Sequence, residues 1–328
     1  MIELWGEAPD GTKVNRVRIS NGDLTAHILS FGATVQDLRF GDSDFSLVLG
    51  YPNFEPYKTN PNYFGSTVGR FANRISHGRT SIDGQEISLD RNYLDKHHLH
   101  GGSIGASFRN WSLLDYSEEK VVFGDILPDG HMGFPGNLTV TASFEITPNN
   151  ELSIKYESTT DAPTLCNFAP HSYFNLDGTH DLRHHSLLVN ASAYLPVDEE
   201  GIPKGCIDDV AGTSFDFRNY NELLTNNQFV NLDHNFCVDP SCDAMPTAVL
   251  SSNLSSIELD VRSTEPGLQV YTGAGISGNG FCPYAGIALE PQVWPDAPNR
   301  PNFPNCIIRP GEVRSQQTML GLSRRLVL

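Results

Sequence analysis

Apolar and polar residues alternate with a period of two along much of this chain, and this pattern constrains its fold more than any other feature. Alternation runs through residues 138–146, a turn sequence follows at 147–150, and alternation resumes at 152–156. The apolar positions are Leu138, Val140, Ala142, Phe144, Ile146, Leu152, Ile154 and Tyr156. Successive side chains of a strand point to opposite faces of a sheet, so the pattern predicts a hairpin of two half-buried antiparallel strands.

The same alternation recurs at residues 24–28 and 257–261, whereas sustained helical spacing is hard to find. The best helical candidate is the short segment 219–224. The 29 glycines and 21 prolines are spread along the chain, which is typical of many strands separated by many turns. We therefore predict a mainly β protein, a large antiparallel β-sandwich that forms a single domain over residues 1–328, with long loops that carry the chemistry.

The charge of the chain narrows the classes of partner. Lys and Arg number 22 against 39 Asp and Glu, which gives a formal charge of -17. Such a surface repels nucleic-acid phosphates and anionic lipid, so neither nucleic acid nor membrane is an expected partner. A neutral small molecule suits this charge better than a sugar phosphate.

The cysteines and the N-terminal residues indicate a compartment. Six cysteines are scattered without Cys-x-x-Cys spacing, which is typical of reduced thiols in a cytosolic protein, although Cys237 and Cys242 are close enough in sequence to pair. Residues 1–7 lack the basic and apolar regions of a signal peptide, and no window is apolar enough for a membrane span. We expect a cytoplasmic protein.

Two segments supply an acid and a base. His171 lies in Pro-His-Ser-Tyr-Phe-Asn-Leu (170–176), and Glu290 follows Ile287 and Leu289, just before Pro291, which we expect to end the strand. A histidine that gives a proton and a glutamate that takes one can move protons without a cofactor. The alternatives are a core histidine bound to a backbone carbonyl and a surface glutamate.

Further polar residues are candidates for binding a substrate. Gly-Arg-Phe-Ala-Asn-Arg-Ile (69–75) offers Asn73 and Arg74, whose planar fork of donors can hold neighbouring hydroxyl groups or pair with a surface acid. His100 precedes Gly101 and Gly102. With His97 and His98 it could form a metal site, but no paired ligand motif follows, and a single hydrogen-bonding histidine is more economical.

Asp233 and Gln269 complete the candidate set. Asp233 opens Asp-His-Asn-Phe, which is also typical of a turn or a helix cap. Gln269 lies in the strand-like Leu-Gln-Val-Tyr-Thr-Gly (268–273), on the face opposite Leu268 and Val270.

Taken together and in order, these motifs resemble the aldose 1-epimerase (galactose mutarotase) family over nearly the whole chain. The resemblance rests on the following segments: Gly-Arg-x-Ala-Asn-Arg-Ile, Leu-His-Gly-Gly, Pro-Asp-Gly-x-x-Gly-Phe-Pro-Gly-Asn-Leu (128–138), His-Ser-Tyr-Phe-Asn-Leu, Tyr-Leu-Pro-Val-Asp (194–198), Asp-His-Asn-Phe, Gln-Val-Tyr-Thr-Gly and Leu-Glu-x-Gln, with the closing segments at 295–304 and 309–312.

The resemblance implies a fold, a reaction and a set of roles. The fold is the family's large antiparallel β-sandwich, and the reaction interconverts the anomers of a free sugar, with galactose or glucose as the default and with neither metal nor cofactor. His171 matches the acid that protonates the ring oxygen, and we expect Asp233 and Glu290 to favour its protonated form. Glu290 matches the base that takes the proton of the anomeric hydroxyl. The matching sugar contacts are Asn73, Arg74, His100, Asp233 and Gln269, and Arg70 is a less certain contact.

Three departures from the family's usual residues leave the preferred sugar open: Ala169-Pro170, Ala274-Gly275 and Pro291. The second hypothesis is therefore a mutarotase for a pentose, a deoxy sugar or a ketose. The third is a carbohydrate-binding or sensing protein without activity, although a binder has no need of an acid–base pair. The expected partner is a monosaccharide, and the expected assembly is a monomer or homodimer.

Overall fold

The computed structural model describes residues 1–238 and 245–325 and contains one large antiparallel sheet of nine strands. In their order across the sheet, these strands are Ser112–Tyr116, Lys120–Leu127, Leu138–Thr147, Glu151–Thr160, Arg314–Arg324, Ile257–Ser263, Ala248–Ser252, His185–Val189 and Asn221–Glu222. The predicted hairpin is confirmed: Leu138–Thr147 pairs with Glu151–Thr160 from one end to the other. The predicted apolar positions of Leu138–Thr147 are buried, and the polar positions between them are half-buried or exposed.

Two further antiparallel sheets complete the main framework. A four-stranded sheet contains Ile2–Glu7, Lys13–Asn21, Leu24–Leu29 and Thr34–Phe40. A six-stranded sheet contains, in order, Tyr173–Phe174, Ile287–Gln292, Gly267–Tyr271, Asp233–Cys237, Ala193–Tyr194 and Asp208–Asp209. The candidate acid and base belong to this third sheet or lie immediately beside it.

Short elements connect the sheets. The two-stranded pairs are Thr164–Leu165 with Ile307–Ile308, Thr67–Val68 with Ala169–Pro170, Leu224–Thr225 with Gln228–Phe229, Arg74–Ile75 with His98–Leu99, and Arg79–Ile82 with Gln85–Ser88. The helical turns of the described residues are 3-10 turns: Glu55–Lys58, Ser76–Gly78, Ala106–Phe108, His131–Gly133 and Ala297–Asn299.

The helix predicted at residues 219–224 is wrong. Asn221–Glu222 forms the edge strand of the nine-stranded sheet, and Leu224–Thr225 starts a small hairpin. Asn226 and Asn227 close that hairpin with positive φ angles of 53° and 60°. Asparagine tolerates this conformation well, and so short a segment gains too little from helical hydrogen bonds to compete with pairing at a sheet edge.

One buried apolar cluster joins all three main sheets. It includes Ile19 from the four-stranded sheet, Phe144 and Leu250 from the nine-stranded sheet, and Val270 and Leu289 from the six-stranded sheet. Sheets that bury their inner faces against each other form a sandwich, so the predicted mainly β sandwich is confirmed. The prediction that residues 1–328 form a single domain stays a prediction.

No helix within residues 1–238 and 245–325 is long and apolar enough to cross a membrane. Within the same residues the cysteines are unpaired: Cys166, Cys206, Cys237, Cys282 and Cys306. The possible pairing of Cys237 with Cys242 lies outside the described residues.

Candidate active site

Three neighbouring strands of the six-stranded sheet present polar side chains on one face. Their register places Gln269 opposite both Asn235 and Glu290. Directly paired residues share a face, and Asp233 lies two residues before Asn235, so Asp233 shares it too. Asp233 therefore begins a strand and is neither a turn residue nor a helix cap.

Pro291 does not end the strand, contrary to expectation. Ile287–Gln292 continues through it, and Pro291 lies opposite Leu268. The neighbouring strand on the other side, Tyr173–Phe174, pairs only with Ala288 and Ile287. Within the described residues the strand has no ladder partner on that side at residue 291, the kind of edge position at which a strand tolerates proline.

Asn73, Arg74 and His100 are brought together by a short two-stranded pair. Arg74–Ile75 pairs with His98–Leu99, and Asn73 and His100 flank the pair with positive φ angles of 67° and 52°. The backbone N–H of Asn73 donates to Nδ1 of His100 at 3.1 Å. The side-chain oxygen of Asn73 accepts from the Arg74 N–H at 2.8 Å. Backbone N–H groups thereby fix the side chains of His100 and Asn73.

His171 is held by its backbone beside aromatic rings. Its N–H donates to the Ser66 carbonyl at 2.9 Å, and its own carbonyl accepts from the Gly65 N–H at 3.0 Å. The His171 ring lies 5.2 Å from the Tyr173 ring and 5.8 Å from the Tyr63 ring. The imidazole is thus buried between aromatic rings.

The seven residues predicted for the site form a closed circuit of contacts, to which we refer as the polar circuit: Asn73, Arg74, His100, His171, Asp233, Gln269 and Glu290. Arg74 Nη2 donates to Asp233 Oδ2 at 3.0 Å, and Gln269 Nε2 donates to Asp233 Oδ1 at 2.6 Å.

The acid–base pair closes the polar circuit on its other side. Gln269 pairs with Glu290 across the strands, and Glu290 Oε2 lies 3.4 Å from His171 Nε2. The His171 ring is 5.0 Å from the ring of His100, which contacts Asn73. The structure therefore brings together both catalytic candidates and the five matching sugar contacts that the sequence named.

Several buried polar atoms of the polar circuit lack a hydrogen-bond partner within the described residues. They are Arg74 Nε, His171 Nδ1, Gln269 Oε1 and Glu290 Oε2. Buried polar groups are ordinarily satisfied, and exceptions concentrate where function requires them. Asp233, with 40% of its side chain exposed, marks the side of the circuit that faces solvent.

Burial controls the protonation of the two central residues. It lowers the pKa of His171 to about 4, and the Asp233 charge raises that pKa by less. Burial, followed by the Asp233 charge, raises the pKa of Glu290 well above the usual carboxyl range. The Asp233 charge therefore favours protonated His171, as expected, but desolvation outweighs this attraction.

His100, His171 and Glu290 also place one potential metal-ligand atom each within 4.8 Å of one another. Because Nδ1 of His100 accepts a hydrogen bond from the Asn73 N–H, the neutral ring carries its proton on Nε2. A metal bound at Nε2 would move that proton to Nδ1, where it would face the Asn73 N–H. The three residues do not fit a metal ion in this arrangement, which suits proton transfer and hydrogen bonding instead.

The other two histidines of this segment have separate partners. Nδ1 of His97 accepts from the His77 N–H at 3.0 Å, and Nδ1 of His98 lies 2.8 Å from the Asp90 carbonyl. Their rings are therefore engaged by different parts of the backbone.

Arg70 lies outside the polar circuit, although it is only four residues from Arg74. Its guanidinium is buried and donates to backbone carbonyls at Leu127, Pro128, Pro135 and Gly136. Arg70 therefore holds the 128–138 loop and does not reach the site.

Sequence reasoning missed two aromatic residues of the site. The Tyr63 ring lies 4.8 Å from the His100 ring, and the Arg74 guanidinium carbon lies 4.8 Å from the centre of the Tyr93 ring. Tyr63 precedes the Gly69 motif by six residues, and Tyr93 precedes His100 by seven. Proximity in sequence to these motifs was the only available signal.

Comparison with known families and proteins gives consistent matches. The family model described as aldose 1-epimerase matches residues 15–321. Aldose 1-epimerase of Escherichia coli K12 is 37% identical over 332 residues, which cover 95% of this chain and 96% of that protein. Human galactose mutarotase is 36% identical over 336 residues, which cover 98% of this chain and 97% of that protein.

Solved structures show the same similarity in three dimensions. The crystal structure of an aldose epimerase homologue from C. elegans aligns with a TM-score of 0.90 at 29% identity, over 95% of this chain and 99% of that one. Galactose 1-epimerase from Lactobacillus acidophilus aligns with a TM-score of 0.87 at 28% identity, over 99% of each chain.

Proposed function

The chain belongs to the aldose 1-epimerase family, whose members are isomerases, and on that premise we propose that it interconverts the α and β anomers of a free aldose, galactose or glucose. The observation that carries this proposal is the buried His171–Glu290 pair, with 3.4 Å between Nε2 and Oε2. Oxygens O1 and O5 of the sugar are both bonded to C1. A base and an acid that lie so close together can therefore reach both oxygens.

In the proposed mechanism, Glu290 takes the proton of the O1 hydroxyl while His171 gives a proton to O5. The C1–O5 bond breaks, and O1 becomes the carbonyl oxygen of the open-chain aldehyde. Rotation about C1–C2 presents the other face of the carbonyl to the O5 hydroxyl. Closure reverses both proton transfers, so atoms and charges balance over the cycle.

His171 and Glu290 need only one proton between them for this reaction, and that proton moves from one side chain to the other. The buried site favours protonated Glu290 and neutral His171. Transfer from Glu290 to His171 creates the base and the acid together, without exchange with solvent. The Asp233 charge favours the imidazolium, and so does its attraction to the new Glu290 carboxylate.

The rest of the polar circuit holds the sugar in the proposal. His100 is a neutral donor through Nε2–H, since burial and the neighbouring His171 keep its pKa well below the usual histidine value. Asp233 and the free Oε1 of Gln269 accept hydrogen bonds from sugar hydroxyls, and Arg74 and Asn73 complete the binding set.

Polarimetry tests the proposal. Freshly dissolved α-D-galactose and α-D-glucose, followed by a panel of pentoses, deoxy sugars and ketoses, are mixed with wild type or His171→Asn in a weakly catalytic neutral buffer. We expect wild type to accelerate mutarotation and the variant to lose that acceleration, and the panel ranks the sugars. A folded wild-type protein that binds a sugar but accelerates none would contradict the proposal and support a sensor.

The proposed substrate is a free monosaccharide. A cytoplasmic location and a monomeric or homodimeric assembly stay predictions of the sequence, and size-exclusion chromatography with light scattering tests the assembly.

A further inference from the structure

The Arg74 guanidinium is enclosed by two turns that come from distant parts of the chain. The ring of Tyr93 lies over it, with 4.8 Å from the guanidinium carbon to the ring centre. Gly201 lies against it so closely that a Cβ there would be 2.9 Å from the guanidinium carbon. Gly201 also has a φ of +75°, so both its conformation and its close approach favour glycine.

Hydrogen bonds to Asp198 hold the turn that contains Gly201. Asp198 Oδ1 accepts from the N–H groups of Glu200 and Ile202, both at 2.9 Å. The Asp198 N–H in turn donates to the Ile202 carbonyl at 2.9 Å, which closes residues 198–202 into one unit. Movement of Glu200 is therefore transmitted to Gly201.

The turn that carries Tyr93 is also closed by its backbone. The Tyr93 N–H donates to the His97 carbonyl at 3.0 Å, and the His97 N–H donates to the Tyr93 carbonyl at 2.8 Å. Leu94 and Asp95 between them have positive φ angles of 54° and 52°. Because this turn is tight, the position of His97 determines the position of Tyr93 and of its ring.

Glu200 joins these two turns by contacting Lys96 and His97. We call these three residues the Glu200 clasp. Glu200 Oε2 lies 2.5 Å from Lys96 Nζ and 3.1 Å from His97 Nε2. Since His97 Nδ1 accepts from the His77 N–H, the neutral ring carries its proton on Nε2 and donates it to Glu200. His97 is buried, with 1% of its side chain exposed, so this donor is fixed in place.

We propose that Glu200 is a positioning residue for sugar binding: through Lys96 and His97 it holds the Gly201 turn and the Tyr93 turn together around Arg74. This inference rests on the proposed function, in which Arg74 binds the sugar. Within the described residues, Glu200 forms no hydrogen bond or ion pair with the acid–base pair or with Asp233. Its loss should therefore weaken binding of sugar and transition state alike, which raises KM and leaves kcat nearly unchanged.

The test compares Glu200→Ala, Glu200→Gln and Glu199→Ala by polarimetry over a range of sugar concentrations. Glu199 is the matched control, because it is an exposed neighbour with no hydrogen bond or ion pair recorded in the described part of the chain. We expect KM to rise about tenfold in Glu200→Ala, the order of effect of a lost charge-assisted hydrogen bond, with kcat within about twofold. Glu200→Gln keeps an acceptor for His97 and should lie between Glu200→Ala and wild type. Glu199→Ala should match wild type.

A double-mutant cycle with Arg74→Lys identifies the route of the effect. If Glu200 acts through Arg74, Glu200→Ala should raise KM much less in the Arg74→Lys background than in wild type. An equal rise in both backgrounds, or Glu200→Ala kinetics equal to those of Glu199→Ala, would overturn the inference. Thermal unfolding of each variant separates an effect on KM from a general loss of folded protein.

Failure of this inference can be distinguished from failure of the proposed function. If wild type accelerates mutarotation but the Glu200 variants do not differ from Glu199→Ala, only the clasp is wrong. If wild type accelerates the mutarotation of no sugar, the proposed function is wrong. The proposed role of Glu200 is then wrong too, because it depends on sugar binding by Arg74.

Discussion

At the scale of single residues, burial and not proximity of charge decides the chemistry of the central pair. Asp233 attracts a proton to His171, but desolvation lowers the pKa of His171 to about 4. The same desolvation raises the pKa of Glu290. Between these two pKa values the pair therefore holds one proton, which is the state that can act as acid and base at once.

Replacement of the proposed base should separate catalysis from binding. Glu290→Gln keeps the size and polarity of the side chain but cannot accept the O1 proton. We expect the enzymatic rate to fall about 10²–10⁴-fold, the usual contribution of a positioned base, while sugar affinity stays within a few fold. Polarimetry measures the rate and isothermal titration calorimetry the affinity, with Glu199→Gln as control. Full activity in Glu290→Gln would remove Glu290 from the mechanism.

The acidic limb of the pH dependence of kcat/KM should lie below the ordinary histidine range. Below about pH 4, His171 and Glu290 are both protonated, so the base is lost and activity falls. Above the raised pKa of Glu290 the pair loses its last proton, so the acid is lost and activity falls again. Polarimetry from pH 4 to pH 9, corrected for the spontaneous rate, should show activity falling to about half of its plateau as the pH approaches 4. An acidic limb centred near the ordinary histidine pKa of about 6.5 would instead show that His171 titrates as an exposed histidine.

At the scale of elements, short paired segments position the residues of the polar circuit, and a buried arginine holds a nearby loop. Ala169–Pro170 pairs with Thr67–Val68 just before His171. The 128–138 loop is fixed from inside by Arg70, whose pKa burial lowers to about 10. Membership of one sequence motif therefore does not decide whether a residue reaches the polar circuit.

Arg70→Met should affect stability and not sugar binding. The substitution leaves carbonyls at Leu127, Pro128, Pro135 and Gly136 without their charged donor, at about 1–3 kcal/mol for each group that stays buried and unsatisfied. We expect the free energy of unfolding to fall by about 3–5 kcal/mol. Urea denaturation measures the free energy of unfolding. KM, measured on the folded variant, should stay near that of wild type.

Arg79→Met is the matched control for Arg70→Met. Arg79 is exposed, and no ion pair of its side chain is recorded in the described residues, so we expect a change within about 0.5 kcal/mol. A large rise in KM for Arg70→Met at unchanged stability would instead show that Arg70 takes part in binding.

At the scale of the whole molecule, the excess of acidic residues favours neutral substrates. The formal charge of -17 produces a negative potential around the protein, and Asp233 places a carboxylate at the exposed side of the polar circuit. An anionic sugar therefore approaches against the field, whereas a neutral one does not.

A sugar and its uronic acid test this effect, since they differ by a carboxylate at C6. We expect kcat/KM for D-galacturonate to be lower than for D-galactose at low salt. The difference should narrow as salt rises, because the screening length falls from about 10 Å at 0.1 M to about 3 Å at 1 M. A salt-independent difference would point to a local steric cause at C6.

The sequence by itself determined the mainly β class and the strands with clear alternation, and it named the residues of the candidate site. Alternation located the 138–160 hairpin because period two is a local property of a half-buried strand. The ordered motifs named all seven residues of the polar circuit. The segment 219–224 failed because its strand is imposed by a sheet edge that no local pattern reveals.

Only the tertiary structure decided which of the named residues meet and which others join them. Arg70 and Arg74 lie in one motif, but Arg70 binds backbone carbonyls of a loop and Arg74 binds Asp233, 159 residues away. Glu200 and His97 are 103 residues apart in sequence. Contacts over such separations depend on how the sheets pack, and desolvation by that same packing sets the protonation of His171 and Glu290. Neither effect leaves a local pattern in the chain, since both arise from burial by distant residues.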